Sequence, residues 1–407
     1  MIIFFTGSDF MISFDDFFDK IPEVEYFPDF DPKGEHGGVR FDGIKALCYE
    51  GAPYKGMRTK VFAHIGFPEN TENAVPAVVL IHGGGGHPED KWIKKWTDRG
   101  YAAISMDTTG FFPVKKTSSL YEGNSQGLKR KLVPPFYEDG FTVPPDNSCM
   151  SDCHLPAAEQ WMYHAVASVI LAHNILRQDK RVDSDSIGVS GISWGGVITS
   201  IVTGYDSRFA FAIPIYGSGY LKYGLSALNE IFRAPDAVIW QAENRFTEVR
   251  MPVLWLCWND DCFSLNGNSM SYLETRKNNR NTCLSAIHEM RHSHYDGYTP
   301  EENYWFADTV LSGKSVPEIH AEFTEGTVKY SCSEQVKAVR LFYLTEKMTY
   351  SIHEKNGSVN SFMDQNWQIK DLSPEKNSAP LPDNAVGRYV EFTLKNDIVL
   401  TTAYTEE

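Results

Sequence analysis

Continuous apolar runs, not alternating ones, mark the strands in the first three-quarters of the chain. Pro76 to His82 (PAVVLIH), Tyr101 to Asp107 (YAAISMD), Phe209 to Tyr216 (FAFAIPIY) and Pro252 to Trp258 (PVLWLCW) each read as a strand buried on both faces. Lys60 to Gly66 (KVFAHIG) alternates like a strand, and a further short apolar run covers 283–290. Helical periods fall between them. Residues 89–99 put Trp92 and Trp96 on one face and stop at Gly100, 156–178 form a long apolar helix opening with Pro156, and 301–312 form a closing amphipathic helix. Strands alternating with helices in this order predict a mostly parallel, doubly wound sheet with helices on both faces.

After about residue 315 the pattern changes. TVKYSCS, AVRLFYL, RYVEFTL and IVLTTAY are separated by turn residues, which predicts a small antiparallel β-sandwich running to the C-terminus. The linker falls near Lys314 to Pro317. The expected organisation is an extension packed on the body over 1–45, an α/β body over 46–315 and an all-β sandwich over 316–407. No internal repeat is visible. Residues 111–155 are irregular, with Pro113, Pro134, Pro135, Pro144 and Pro145 and a basic cluster at Lys129, Arg130 and Lys131. An insertion of that length in a compact domain reads as a lid or a substrate wall.

Composition sets outer limits. With 407 residues, 42% apolar and 13% aromatic, the chain has ample material for a large core. A formal charge of −15 argues against nucleic acid or an anionic membrane as a partner. Seven cysteines at irregular spacing (Cys48, Cys149, Cys153, Cys257, Cys262, Cys283, Cys332) are not a disulfide framework, and no second pair completes a metal site with Cys149 and Cys153. The apolar start (Met1 to Phe5) lacks a basic flank and is soon followed by Asp9, Asp15 and Asp16, with Met11 as an alternative start. A cytoplasmic, reduced protein is expected.

The chemistry centres on 186–204, SIGVSGISWGGVITSIVTG. Gly191-Ile192-Ser193-Trp194-Gly195 is a G-x-S-x-G elbow with a strand before it and a helix-like stretch after it. The reversal from strand to helix leaves no room for side chains two positions either side of the serine. The turn therefore presents Ser193 Oγ above the sheet, with helix N-terminal N–H groups beside it.

A serine nucleophile needs an orienting acid and a base, which follow it in that order in this architecture. The strand at 252–258 delivers Asn259-Asp260-Asp261, and Met290-Arg291-His292-Ser293-His294 supplies the histidine. Spacing leaves Asp260 against Asp261 and His292 against His294 open. The oxyanion hole is expected from the N–H of Trp194 and that of Gly84, in the Gly83–Gly86 run next to a strand end.

Several histidines have plainer readings. His82 reads as a loop-fixing residue, His87 as solvated or lining the pocket, and His154, His164 and His173 as core or surface residues. The glycine run lacks both the Walker Lys-Ser/Thr pair and G-x-G-x-x-G spacing, so no phosphate cradle is expected. His292-x-His294-x-Asp296 has the outline of a metallohydrolase motif, but Gly297 stands where a histidine is needed. No metal or organic cofactor is expected.

As a set, these segments resemble the bacterial acetylxylan-esterase-like branch of the α/β-hydrolases, related to dienelactone hydrolases and to the prolyl oligopeptidase catalytic domain. The resemblance rests on VLIHGGGGHPEDKWIKKWTDRGYAAISMDTTG (79–110), YHAVASVILAHNILR (163–177), GVSGISWGGVITSIVTG (188–204), IPIYGSGYL (213–221), PVLWLCWNDD (252–261) and the stretch from MRHSH (290–294) to 319. It implies an α/β-hydrolase fold and a serine carboxylic-ester hydrolase with a Ser193-Asp261-His294 triad, the base being the final histidine of a segment that is M-P-H-G-H in the family. It also implies a small-molecule ester substrate, such as an acetylated oligosaccharide. The rival readings are a prolyl oligopeptidase-type peptidase, whose relatives usually carry a large gating domain, and a binding protein with no activity.

Overall fold

A computed structural model describes residues 12–27, 43–69, 72–113, 121–123, 129–132, 150–225, 227–349, 351–355, 358–362 and 365–407. Nine strands form the main sheet: β1 Val24–Phe27, β2 Ile44–Glu50, β3 Lys60–Gly66, β4 Val75–Ile81, β5 Ala102–Met106, β6 Val182–Ile192, β7 Phe211–Ile215, β8 Leu254–Trp258 and β9 Cys283–Ile287. Their order is β1-β2-β3-β5-β4-β6-β7-β8-β9. β1, β2, β3 and β5 pair antiparallel, and every pair from β5 through β4 to β9 is parallel. This is the α/β-hydrolase fold. The continuous apolar runs are explained by helices covering both faces: Val78, Val79, Leu80 and Ile81 of β4 are all fully buried.

Two elements differ from the pattern-based expectation. The N-terminal stretch does more than pack on the body: β1 extends the sheet by pairing with β2, while Phe14 and Phe17 pack on Tyr163. The long helix starts at Trp161, after a 3-10 turn at Ala157–Glu159. Gln160 is extended there because its side-chain amide is tied to Cys153 O, Leu155 O and the Trp240 indole. Along that helix His164 bonds Ala158 O and His173 pairs with buried Asp206.

Most C-terminal strands form two antiparallel sheets, Ile319–Thr324/Thr327–Cys332/Ser378–Pro380 and Gln368–Leu372/Val336–Leu344/Gly387–Leu394/Val399–Thr401, and a separate hairpin pairs Ser351–Lys355 with Ser358–Phe362. Val328, Tyr330, Val339, Leu341, Val390 and Phe392 pack between them. The opposite face of the second sheet is apolar too, because Phe342, Leu344, Tyr389 and Leu400 continue into the core of the body. Thr401 Oγ1 accepts from Ala286 N in β9, and Tyr404 N donates to Ser269. The sandwich is thus docked by a shared core and buried polar contacts.

Within the insertion, Phe111–Pro113, Tyr121–Gly123 and Lys129–Leu132 form a small antiparallel sheet. Residues 114–120, 124–128 and 133–149, with the other prolines and Cys149, lie outside the described residues, as do Met1 to Met11. The other six cysteines are free thiols. No helix among the described residues is long and apolar enough to cross a membrane.

Candidate active site

Parallel strands β4, β6, β7, β8 and β9 all end at the same edge of the sheet, and the loops they release build the site. β6 runs into the elbow. Ser193 has φ 59° and ψ −118°, a conformation costing about 1–3 kcal/mol that persists only where its surroundings enforce it. The enforcement is visible: Ser193 N donates to Ile215 O in β7 at 2.9 Å, and the helix Trp194–Val202 starts immediately afterwards. Both elbow glycines are obligatory. A Cβ on Gly191 would lie 2.0 Å from Gly195 O, and one on Gly195 would lie 2.1 Å from Ile81 O.

Ser193 Oγ is 2.8 Å from His292 Nε2, and His292 Nδ1 is 2.7 Å from Asp261 Oδ2. Asp261 is 1% exposed, and its other oxygen accepts from Phe263 N at 2.9 Å. The carboxylate therefore fixes the tautomer: Nδ1 carries a proton and Nε2 is left to accept from the serine hydroxyl. The imidazole is held flat between Tyr216, with ring centroids 4.6 Å apart, and Phe263, 5.4 Å away. Burial disfavours the charged ring, but the charge and hydrogen bond of Asp261 outweigh it, so the His292 pKa lies above the ordinary histidine value. The His292 side chain keeps 31% of its surface open to solvent.

The expectation that His294 serves Ser193 is corrected here. Arg291 and Ser293 stand where the M-P-H-G-H pattern has proline and glycine, and between them it is His292 that faces the serine. Ser293 caps the short helix His294–Tyr298, and His294, its first residue, turns to the glycine loop beside Ser193. There His294 Nε2 accepts from Gly83 N at 2.9 Å and Nδ1 donates to Glu89 Oε1 at 3.1 Å. Of the two aspartates, Asp261 contacts the histidine. Asp260 faces the C-terminal sandwich, accepting from Trp367 Nε1 at 2.9 Å and Gln365 N at 3.2 Å.

Trp194 and Gly84 lie side by side: a Cβ on Gly84 would come 2.7 Å from Trp194 Cδ1. Trp194 is the first residue of its helix, so its N–H has no partner within that helix. Its indole meets Trp161 edge-on at 5.6 Å and Phe232 at 6.0 Å, forming an aromatic wall. His82 fixes the loop. Its Nε2 accepts from Thr108 N at 3.1 Å, which leaves Nδ1 to donate to Gly83 O at 2.7 Å.

Asp261, Cys262 and His292 bring potential metal-ligand atoms within 4.8 Å of one another. Asp261 and His292 spend those atoms on each other and on the serine. The residues of the H-x-H-x-D outline diverge, since Asp296 accepts from Ser293. Sequence reasoning missed the Tyr216–Phe263 sandwich and the Glu89–His294 pair; neither has a spacing signature, because each joins loops far apart in the chain.

The fold and this constellation define an α/β-hydrolase. Residues 8–221 match the model of the family described as acetyl xylan esterase (AXE1), just over half the chain, and the chain belongs to that family: it is a hydrolase acting on esters. The match spans the glycine loop and the elbow and ends before Asp261 and His292. No curated protein matches the chain. Among solved structures it is similar to the acetyl xylan esterase from Paenibacillus sp. R4, at 17% identity over 72% of this chain and 89% of that one, TM-score 0.46. Acetyl xylan esterase 1 from Thermoanaerobacterium sp. JW/SL YS485 gives 16% identity over 72% and 90%, TM-score 0.47. The acylaminoacyl peptidase of Pyrococcus horikoshii gives 14% over 69% and 39%, TM-score 0.44.

Proposed function

We propose that this protein hydrolyses carboxylic esters through an acyl-enzyme on Ser193, with short acyl groups, acetate above all, on carbohydrate as the substrate class. The observation that carries the reading is the unbroken chain from Ser193 Oγ through His292 to Asp261, at 2.8 and 2.7 Å. The acetyl and carbohydrate part of the reading is supported by the family.

In this scheme His292 Nε2 takes the Ser193 proton as Oγ adds to the ester carbonyl. Asp261 holds the resulting imidazolium, and the N–H groups of Trp194 and Gly84 receive the developing oxyanion. The tetrahedral intermediate collapses, the C–O bond to the alcohol breaks, and Nε2–H returns its proton to the leaving oxygen. Water, deprotonated by His292, then adds to the acyl-serine; the acid departs and Ser193 regains its proton. The residues named require no metal for these steps.

The test is turnover of p-nitrophenyl acetate, butyrate and octanoate, an acetylated xylo-oligosaccharide and an aminoacyl-proline p-nitroanilide, by wild type and Ser193→Ala. Acetate release from the short ester and the oligosaccharide, abolished in Ser193→Ala, is the expected result. Cleavage of the anilide alone would make the protein a peptidase, and no turnover of any substrate would favour a binding role.

A further inference from the structure

His294 stands two residues beyond the proposed base, yet its ring is wholly committed elsewhere. It accepts the Gly83 N–H at Nε2, 2.9 Å, and a ring accepting there carries its proton on Nδ1, where Glu89 Oε1 receives it at 3.1 Å. Both side chains are 13% exposed. Burial opposes the Glu89 charge, but the His294 hydrogen bond and the neighbouring histidines prevail and hold its carboxyl below the ordinary range.

The ring fills a slot shaped by glycines. A Cβ on Gly86 would sit 2.8 Å from His294 Cε1, and one on Gly83 would sit 3.0 Å from Nε2 and 3.1 Å from Ser193 Cβ. Four consecutive glycines have little stiffness of their own, so beyond one turn bond, Gly86 N to Gly83 O at 2.9 Å, this loop's geometry is set by contacts from outside it. Gly83 is held at its N–H by His294 and at its carbonyl by His82 as well as by the Gly86 N–H. That carbonyl shares a peptide plane with the Gly84 N–H, which in a trans peptide points the opposite way. Holding Gly83 from both sides therefore aims the Gly84 N–H.

We propose that Glu89 and His294 form a positioning pair, a second acid–histidine couple beside Ser193, which braces the glycine loop so that its N–H meets the oxyanion. The proposal rests on the Ser193 esterase reading. An oxyanion donor contributes through preorganised aim, so loosening the brace acts on the transition state more than on ground-state binding. His292 and His294 sit on one turn, so a single short segment places both the base and the oxyanion loop.

The experiment measures kcat, KM and the pH profile on p-nitrophenyl acetate, and the Ki of a short alkyl trifluoromethyl ketone, whose hemiketal oxygen occupies the oxyanion site. The variants are Ser193→Ala, His292→Ala, His294→Ala, His294→Gln and Glu89→Ala, each checked for folding by thermal unfolding. In His294→Ala, kcat falls about 10- to 100-fold with KM within about threefold, and the ketone weakens in step with kcat. The acid limb set by His292 stays in place. His294→Gln, whose Oε1 reaches the position of Nε2, recovers most of the loss, and Glu89→Ala shows a smaller loss of the same kind. Folded His294→Ala with wild-type kcat and ketone affinity would overturn the positioning pair and leave the esterase reading intact. So would a His294→Ala defect equal to that of His292→Ala and not rescued by Gln. Undiminished turnover in Ser193→Ala would instead remove the esterase reading itself. If His294→Ala does not fold, Gln and Glu89→Ala decide: a loss in kcat and ketone affinity in Glu89→Ala supports the pair, and wild-type values in it refute the pair.

Discussion

Trp367, in the C-terminal sandwich, donates its indole N–H to Asp260 at 2.9 Å, one residue before the acid that holds His292. The sandwich is therefore wired to the acid loop as well as docked on the body. Replacing Trp367 with Phe keeps a ring against Tyr389 and Phe342 but strips a hydrogen bond from a buried carboxylate. The expected cost is about 1.5–3 kcal/mol of stability. With the acid loop loosened, kcat falls about three- to tenfold. Denaturant unfolding and steady-state kinetics on one preparation check both.

The pH dependence follows from His292. Its folded-state pKa is raised by Asp261 against the opposing effect of burial. The neutral ring is the base, so kcat/KM rises with pH, and its acid limb inflects above the ordinary histidine value of about 6.5. For stability the sign is the reverse. A raised histidine stabilises the fold at pH below the unfolded value and loses that contribution as pH climbs through the folded value. Asp261→Asn removes the raising partner and leaves burial. Its residual activity, down by on the order of 10⁴-fold, should show the acid limb displaced to lower pH.

Tyr216 is a second handle on the base. It sits at φ 64°, a costly conformation for a bulky residue, with its ring on His292 and its hydroxyl donating to Arg291 O at 2.6 Å. Tyr216→Phe keeps the stack and loses one bond of about 1 kcal/mol, so activity falls only a few-fold. Tyr216→Ala removes the wall of the histidine slot. It should cost about 3–5 kcal/mol, and kcat should drop much further than in the Phe variant. Paired kinetics and unfolding of the two variants separate the roles.

Gly191→Ala tests the elbow. A methyl 2.0 Å from a backbone carbonyl oxygen cannot be absorbed by a side-chain rotation, so the strand–helix junction must open. The expected loss exceeds about 4 kcal/mol. Poor soluble expression and a strongly lowered unfolding midpoint are the readouts.

Much of this architecture was legible in the chain because burial on both faces leaves continuous apolar runs. β3 occupies the expected Lys60–Gly66, and β4, β5, β7 and β8 fall within or one residue from their runs. β6 begins at Val182, but its first half, Asp183 to Ser186, is polar and half-exposed, so only its end shows in the pattern. The C-terminal strands AVRLFYL and RYVEFTL are apolar on both faces because one face closes the sandwich and the other the body.

The site was legible up to one turn. Ser193 and its glycines are fixed by local sterics, and local sterics are what a sequence displays. Which histidine faces the serine is decided by the path from Met290 to Tyr298. That path depends on the local Ser293 cap and on two contacts between distant loops, the Tyr216 hydroxyl on Arg291 O and the slot beside Gly83, some 75 and 210 residues apart in the chain.

Everything proposed for this site requires that Ser193, activated by His292, form the covalent intermediate. The most direct measurement is intact-protein and peptide mass spectrometry after reaction with diethyl p-nitrophenyl phosphate, a serine-directed acylation mimic, timed for wild type, Ser193→Ala, His292→Ala and His294→Ala. The expected result is one diethylphosphoryl group on Ser193, none in Ser193→Ala, and a rate falling far more steeply in His292→Ala than in His294→Ala. Labelling at another residue, or labelling that survives His292→Ala but is lost in His294→Ala, would contradict it.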